Sequence, residues 1–208
     1  RGSGVKHPSM PEIINILIPI PPLPVQSEIV RILDTFTELT AELTAELTAR
    51  KKQYNYYREQ LLSFEEGKVE WKTLCAVCKV LRGNRLTKKE LTENGKYPVF
   101  HGGLIPLGLY DKFNRKANQT MIINTGSIGE VVWSNVDFWS SDGTFVVETS
   151  DGIYDRFLYH YLKIQEGYFK SQKREGGVPT IDRAVVENLQ IPIPPLSVQK
   201  EIVRILDS

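Results

Sequence analysis

Apolar side chains recur every three or four positions from Val25 to Phe64, which is the spacing of one face of an α-helix. No glycine or proline interrupts these 40 residues. At a rise of 1.5 Å per residue the predicted helix is about 60 Å long, and one narrow apolar stripe on such a helix needs a partner helix. The predicted helix-pairing residues are Ile29, Ile32, Leu33, Phe36, Leu39, Leu43, Leu47, Tyr54, Tyr57, Leu61 and Phe64.

A four-residue repeat lies in the middle of this predicted helix. Thr40–Leu43 and Thr44–Leu47 both read TAEL, and alanine, glutamate and leucine are strong helix formers. A step of four residues drifts by about 40° per repeat relative to a helical turn of 3.6 residues. We therefore interpret the tetrapeptides as a helical spacer rather than as an ideal coiled-coil segment.

After Gly67 the pattern changes to short β-branched segments separated by turn residues. The predicted strands are Tyr97–Phe100, Gln119–Asn124, Glu130–Trp133, Thr144–Glu148 and Gln190–Ile193. The predicted helices are Asp155–Gln165, extended over Tyr168–Arg174, then Asp182–Leu189 and a long helix that begins at Leu196. The fold class is therefore α+β: a globular domain of short strands and a few helices, mounted on a long coiled-coil helix.

The segment before the long helix is also apolar and β-branched. Ile13–Ile20 predicts a strand, and the prolines Pro19, Pro21 and Pro22 predict its end. We interpret this segment as the last loop and strand of a preceding domain.

One 17-residue segment occurs twice in the chain. Ile18–Asp34 and Ile191–Asp207 are identical at 15 of 17 positions, with an offset of 173 residues. A repeat of this length indicates that the chain spans one full unit of a two-unit array. The module with its own function is then the part between the two copies.

Charge is distributed unevenly along the chain, although the formal net charge is only +1. Lys79–Lys116 holds nine basic and three acidic residues, whereas Ala117–His160 holds one basic and six acidic residues. This polarity favours a directional positive face, with an ordinary solvated surface as the alternative.

The chain carries no recognisable catalytic motif. It has no glycine-rich phosphate loop, no Asn-Pro-Pro-Tyr motif of amino-methyltransferases and no cluster of nuclease carboxylates. Cys75 and Cys78 form a lone C-x-x-C, and the three histidines are too scattered to complete four zinc ligands. We expect reduced cysteines, no metal and no membrane span in a cytoplasmic protein, with a thiol redox enzyme as a distant alternative.

Four motifs cover nearly the whole chain. They are the repeated boundary Ile18–Asp34, the TAEL tandem followed by Arg50–Leu74, the stretch Asn124–Val131 (NTGSIGEV), and the run Gly177–Asp182 (GVPTID). With these motifs the chain resembles the DNA-specificity subunits of type I restriction–modification enzymes. The helix and boundary motifs are highly specific, whereas NTGSIGEV alone would be a weak signal.

The resemblance implies two target-recognition domains held apart by two long antiparallel conserved helices, each domain reading one half of a split DNA site. Residues 1–22 would then end a preceding recognition domain, 23–67 would form the conserved spacer helix, 68–195 the complete recognition domain, and 196–208 the start of the distal helix. A chain with one complete recognition domain could restore the helix pair by forming a homodimer.

The resemblance also assigns chemistry to partner subunits. Two methylation subunits would dock on the helices and restriction subunits would join them, so S-adenosylmethionine, ATP and Mg²⁺ would belong to those subunits and no cofactor to this chain. The expected function is non-enzymatic recognition of double-stranded DNA for an adenine methyltransferase and restriction endonuclease complex. The alternative from another class is a structural coiled-coil adaptor without DNA readout.

Candidate DNA contacts are basic, amide and hydroxyl side chains on the predicted loops. Phosphate contacts position a protein on DNA, and base-edge contacts specify the sequence. The candidate DNA-binding residues are Lys79, Arg82, Asn84, Arg85, Lys88, Lys89, His101, Lys112, Arg115, Lys116, Asn124, Ser127, Lys173, Arg174 and Thr180. The segment Ser140–Thr144 is a further candidate for base-edge contacts.

Overall fold

The computed structural model describes residues 9–65, 67–174 and 177–208. By its internal contacts the chain divides into a first unit that ends at Tyr54 and a second unit that begins at Asn55. The first eight residues of the expected domain tail, 1–22, lie outside the described residues. None of the described helices is long and apolar enough to cross a membrane.

The long helix is present, as the apolar spacing predicts. Helix α1 spans Met10–Ile14, and helix α2 spans Leu23–Leu62, with a proline in its first turn where the missing N–H has no helical acceptor. Along α2 five threonine hydroxyls donate to the backbone carbonyl four residues earlier, at 2.7 to 2.9 Å. These bonds satisfy the threonine hydroxyls within the helix. The TAEL threonines therefore fit a continuous helix and need no hydrogen-bond partner outside it.

The predicted strand over Ile13–Ile20 is wrong. Its first two residues lie in α1, and the rest of the segment forms neither helix nor strand. The second copy of the repeat does form a strand here, because Ile191 and its neighbours pair with Glu70–Thr73. A strand needs a partner ladder for its backbone groups, and Ile16–Ile20 has none among the described residues.

Among its described residues the second unit contains nine short strands and, after the end of α2, five α-helices. The strands are β1 Glu70–Thr73, β2 Cys78–Arg82, β3 Tyr97–Phe100, β4 Gly108–Tyr110, β5 Gln119–Ile123, β6 Val131–Ser134, β7 Trp139–Ser140, β8 Thr144–Thr149 and β9 Gln190–Ile193. The helices are α3 Leu74–Val77, α4 Asp155–Ile164, α5 Glu166–Ser171, α6 Arg183–Glu187 and α7 Leu196–Leu206. The α+β class is confirmed.

Three sheets organise these strands. An antiparallel sheet has the order β2-β8-β5-β6, a second sheet has the order β4-β3-β7 with β3 and β7 parallel, and β1 pairs with β9. Successive residues of β5 face two cores, because strand side chains alternate. Ile122 packs in the large core with Phe157 and Leu162 of α4, whereas Met121 packs in a small core with Phe100.

The end of α2 belongs to the large core of the second unit. Leu62 is buried, Leu61 and Phe64 pack against the same core, and the rings of Phe64 and Phe157 meet edge to face at 6.4 Å. Leu61 and Phe64, the last two residues of the predicted pairing stripe, are therefore partly buried against this core. The other nine predicted pairing residues are 41 to 61% exposed.

The two copies of the repeat have the same local structure but different burial. Helices α1 and α6 have equivalent bounds at the offset of 173 residues, and so do the first residues of α2 and α7. Just before the second copy Val186 is fully buried, whereas the residue at the equivalent position before the first copy, Ile13, is 47% exposed. Local sequence therefore sets the helices in both copies, and among the described residues only the second copy has buried apolar side chains.

Candidate nucleic-acid interface

A cleft of about 470 Å³ opens where four segments of the second unit meet. We call it the basic cleft, because three arginine or lysine side chains line it and only one acidic side chain does. Its lining residues are Arg82, Arg85, Leu86, Thr87, Lys88, His101, Leu107, Thr125, Asp142 and Gly143. The arrangement brings together four of the predicted DNA-binding residues: Arg82, Arg85, Lys88 and His101.

The first wall of the cleft begins where β2 ends. Gly83 passes so close to the β7–β8 turn that a Cβ atom would lie 2.0 Å from the carbonyl oxygen of Ser141, so only glycine fits. The next residue, Asn84, donates its N–H to the carbonyl of Ser140 at 2.9 Å and accepts at its own carbonyl from the indole N–H of Trp139. These bonds fix the backbone between Arg82 and Arg85.

A capped 3₁₀ turn holds Lys88 at the cleft. The side chain of Glu90 accepts from the backbone N–H of Thr87 at 2.8 Å and from its hydroxyl at 2.7 Å. These two bonds hold the pKa of Glu90 below its usual value, the backbone bond contributing most. Thr87 and Glu90 thus form a capping box that starts the turn Lys88–Glu90.

The opposite wall is a compact polar cluster. Ring Nδ1 of His101 lies 3.2 Å from the hydroxyl oxygen of Ser141 and 3.3 Å from Oδ1 of Asp142. A Cβ atom on Gly143 would lie 2.8 Å from the carbonyl oxygen of His101, so the turn and the imidazole are in tight contact. This wall of the cleft is therefore fixed by contacts within the fold.

The NTGSIG stretch is a tight turn that joins β5 to β6 and contributes Thr125 to the cleft. Gly126 and Gly129 have φ values of +88° and +80°, which favour glycine. The N–H of Ser127 donates to the carbonyl of Gly102 at 2.8 Å, which anchors the turn beside the loop of the opposite wall. Thr125 then lines the cleft itself.

Asn124 is not placed to read a base. It is only 3% exposed, its N–H donates to the carbonyl of Gly143, and its own carbonyl accepts from the N–H of Ile181. The sequence favoured Asn124 because amides on turns are frequent base readers, but the last residue before this turn still faces the interior. The burial of Asn124 therefore gives no support to the predicted contact with a base.

Arg115 is engaged within the fold. Its guanidinium donates to the carbonyl of Asn114 at 2.8 Å and to the carbonyl of Arg82 at 3.3 Å. It therefore braces the backbone from which Arg82 enters the cleft. Lys116 pairs with Asp137 at 3.2 Å and lies 4.2 Å from the ring centre of Phe113, yet its side chain is 72% exposed.

The remaining predicted contacts are not lining residues of the cleft. Lys79 is exposed on β2 opposite Glu148, and Arg174 pairs with Asp182 at 2.8 Å. Thr180 forms a backbone bridge with Arg174. The others, which are all exposed apart from the half-buried Ser127, are Asn84, Lys89, Lys112, Ser127 and Lys173. Sequence reasoning did not single out Leu107, Leu86 or Thr87, because nothing local marks a residue as the wall of a nonlocal cleft.

The two cysteines do not form a reactive pair in this structure. Both are free thiols, with Cys75 exposed and Cys78 buried. Burial, together with the nearby charge of Asp155, raises the pKa of Cys78 to about 12. A redox-active cysteine needs a lowered pKa, so this environment disfavours the thiol redox alternative. Within the part of the chain that the structure describes, no group of three or more His, Cys, Asp or Glu residues is arranged to hold a metal ion.

Comparison with known proteins decides the family. The family described as "Type I restriction modification DNA specificity domain" matches residues 1–50 and 66–208. The chain belongs to this family.

Specificity subunits are the relatives that this domain resembles. It is 39% identical over 208 residues to the EcoR124I/EcoR124II specificity subunit of Escherichia coli, covering 89% of this chain and 52% of that protein. It is 37% identical over 220 residues to a putative type I specificity subunit of Haemophilus influenzae, covering 92% of this chain and 55% of that protein. The chain thus spans about half the length of these curated relatives.

Solved structures share the fold. The type I restriction–modification S subunit of M. genitalium superposes with a TM-score of 0.62 at 25% identity, over 71% of this chain and 40% of that one. The HsdS subunit of Thermoanaerobacter tengcongensis superposes with a TM-score of 0.61 at 21% identity, over 100% of this chain and 56% of that one. The specificity-domain fold is therefore shown by structure as well as by sequence.

Proposed function

We propose that this type I specificity domain recognises double-stranded DNA and reads one half of a split target site. The observation that carries the proposal is the basic cleft, in which Arg82, Arg85 and Lys88 share a cavity with polar groups of His101 and Thr125. Arginine and lysine bind phosphates and guanine edges, and hydroxyl and imidazole groups add directional hydrogen bonds. A rigid cleft with both kinds of group suits sequence readout better than charge alone.

The chemistry belongs to other subunits in this proposal. Two methylation subunits would act on adenine with S-adenosylmethionine, and restriction subunits would use ATP and Mg²⁺. The chain itself would bind DNA and these subunits in the cytoplasm without catalysing a reaction. The names of its relatives as specificity subunits of restriction enzymes support this division of roles.

The internal repeat supports a second recognition unit. Residues 9–34 have the local structure of the segment that closes the described globular unit, yet their apolar side chains are exposed. Ile29, Val30 and Leu33 are 46 to 58% exposed, whereas their equivalents Ile202, Val203 and Leu206 are 5 to 7% exposed. This segment would therefore close another unit of the same fold, which reads the other half-site.

The middle of α2 is the proposed helix-pairing surface. Phe36, Leu39, Leu43 and Leu47 are each about half exposed and follow a spacing of three or four residues. Such a stripe is stabilised by a second long helix, from the other half of a longer chain or from a second copy in a homodimer. Ile29 and Leu33 differ from these residues, since the repeat assigns them to contact with a globular unit.

A structural coiled-coil adaptor is the second candidate function. The exposed stripe of α2 and the net charge of +1 favour it, because both suit a protein that joins partners without binding DNA. The two functions differ in whether the chain determines which DNA sequence is methylated, since an adaptor would not select a motif.

The test is the motif that the complex methylates. The chain is co-expressed with the methylation subunit of its own system, and N6-methyladenine is located by single-molecule sequencing. We expect a split motif that requires the chain and that changes when residues 68–195 are exchanged for those of a relative. If the methylated motif is independent of this segment, the recognition function is wrong and the adaptor remains.

A further inference from the structure

We propose that Asp142 reads the amino group of a cytosine and is a specificity-determining residue of the basic cleft. This inference rests on the proposed function of DNA recognition. Asp142 is the one acid among the described residues that line the cleft, and its charged neighbours there are Arg82, Arg85 and Lys88. The question is why a surface suited to a polyanion contains a carboxylate.

The carboxylate is held in position by the fold. The hydroxyl of Ser141 donates to Oδ1 of Asp142 at 3.1 Å, and Nδ1 of His101 lies 3.3 Å from the same oxygen. Ser141 is fully buried, and its hydroxyl oxygen accepts from the backbone N–H of Leu86 at 3.2 Å. The side chain of Asp142 itself is 33% exposed, so it is oriented by the buried Ser141 and by His101 and is still accessible from solvent.

A carboxylate at this position opposes general binding to DNA. It repels phosphates and reduces the attraction that the three basic side chains provide. It contributes favourably only when a base edge presents a hydrogen-bond donor to it. Asp142 therefore lowers the affinity for most sequences and raises it for those with a donor at one position.

Cytosine fits the carboxylate best. In the major groove cytosine presents its N4 amino group as a donor, and aspartate and glutamate are recognised partners of that group. Adenine presents an amino group beside the N7 acceptor, which would face a carboxylate oxygen unfavourably. The arginines in the same cleft, Arg82 and Arg85, suit the O6 and N7 acceptors of the guanine in that base pair.

The turn offers a matched control. Asp142-Gly143 lines the cleft, whereas Asp151-Gly152 has the same dipeptide on an exposed turn outside it. Asp142→Asn and Asp151→Asn remove the same charge from the same Asp-Gly dipeptide, and asparagine is as suitable as aspartate before glycine in a turn. A difference between the two variants thus reports the position of the carboxylate rather than the net charge.

The first experiment selects DNA from a randomised duplex pool with the full chain assembled with its methylation subunit. We expect the wild-type complex to require cytosine at one position of the half-site. In Asp142→Asn the preference for cytosine over thymine at that position should fall by about five- to 150-fold. The same variant should bind non-specific duplex more tightly, because a repulsive charge is gone. Asp151→Asn should keep the selected motif.

The second experiment changes the base and leaves the protein intact. The cytosine is replaced by 2-pyrimidinone, which lacks the amino group, in the selected duplex. Wild-type binding should fall by a similar factor, and Asp142→Asn should discriminate less between the two duplexes, because its amide oxygen is a weaker acceptor than the carboxylate. This cycle keeps the proposal testable even if the asparagine variant is less stable.

The outcomes separate the two proposals. A wild-type complex that selects no motif overturns DNA recognition and this inference with it. A selected motif that Asp142→Asn leaves unchanged overturns the role of Asp142 alone. Loss of preference for adenine instead of cytosine also overturns it, since the carboxylate would then read another base.

Discussion

The backbone N–H of Tyr154 donates to Oε1 of Gln199 at 2.8 Å, which joins the start of α4 to the first turns of α7. Gln199 is fully buried, and its amide also donates to the carbonyls of Gly152 at 2.9 Å and Pro194 at 2.8 Å. The first copy of the repeat keeps only the local bond of this set, from Gln26 to the carbonyl of Pro21 at 2.7 Å. The two copies therefore differ in the bonds of this glutamine: Gln199 joins the second copy to the globular unit, whereas Gln26 bonds only within its own segment.

Replacing Gln199 should destabilise the second unit strongly. Gln199→Ala leaves the N–H of Tyr154 and two carbonyls without their partner, and we expect a loss of about 2–4 kcal/mol in the free energy of unfolding. The matched variant Gln26→Ala should cost less than about 0.5 kcal/mol, because its amide is partly exposed. Urea unfolding followed by circular dichroism measures both. Equal losses would contradict the different roles of the two copies.

Neutralising the basic cleft should weaken DNA binding in proportion to the phosphates contacted. In the variant Arg82→Ala, Arg85→Ala and Lys88→Ala, combined with Lys89→Ala beside the cleft, each lost phosphate contact should reduce the slope of log affinity against log salt by about one. A side chain that reads a base should instead relax one position of the motif, at about 1–3 kcal/mol. The measurement is a salt titration of binding by fluorescence anisotropy.

A charge-matched variant controls for net charge. Lys51, Lys68 and Lys200 are exposed and do not line the cleft. Their triple alanine variant should change the salt slope less than the triple variant of Arg82, Arg85 and Lys88. Equal effects of the two triple variants would argue that attraction is diffuse and that the cleft is not the DNA face.

Acid should destabilise the second unit through His160. Burial lowers the pKa of His160 below 6.5, and this outweighs the opposing hydrogen bond to Asp207. The unfolded state then binds the proton more tightly, so the stabilising contribution is complete above pH 6.5 and is lost as pH falls toward the lowered pKa. The slope is at most about 1.4 kcal/mol per pH unit.

Comparison with His160→Gln isolates this contribution. Between pH 7.5 and 5.5 the wild-type chain should lose more stability than the variant, measured by urea unfolding at each pH. Asp207, whose pKa is lowered chiefly by the hydrogen bond from Arg156, should act only as pH falls below 3.8. Parallel pH profiles for the two chains between pH 7.5 and 5.5 would show that the histidine does not titrate between states.

Deleting one TAEL tetrapeptide should change the gap in the target and not its bases. Loss of Thr44–Leu47 shortens α2 by about 6 Å and rotates its ends by about 40°. If the helix sets the separation of two recognition units, a different spacing between half-sites is then preferred, since DNA is stiff over such distances. Leu39 and Leu43 keep their spacing, so helix pairing should survive.

The methylated motif of the deletion complex is the measurement. The half-site sequences serve as the internal control, because the basic cleft is untouched. A changed half-site, or an unchanged gap, would show that the repeat does not act as a ruler.

The sequence alone determined the features that depend on near neighbours. The three-to-four spacing from Val25 to Phe64 predicted α2 to within two residues at each end, and Gln190–Ile193 was predicted with its observed bounds. The two copies of the repeat begin their helices at equivalent positions, Leu23 and Leu196, as their near-identical local sequences require. Helix formation and capping depend on residues within one or two turns, so they can be predicted from residues that are close in sequence.

Only the tertiary structure decided which of these segments are buried and where the charges converge. Ile191 and Ile18 have nearly identical neighbours in sequence, but Ile191 is 1% exposed and Ile18 is 71% exposed, because only Ile191 has β1 beside it. Arg82 and Asp142 meet in one cleft although 60 positions separate them, since β2 and β8 pair in register. Strand pairing and cleft formation join residues that are distant in sequence, and the local spacing of apolar and polar residues does not predict such contacts.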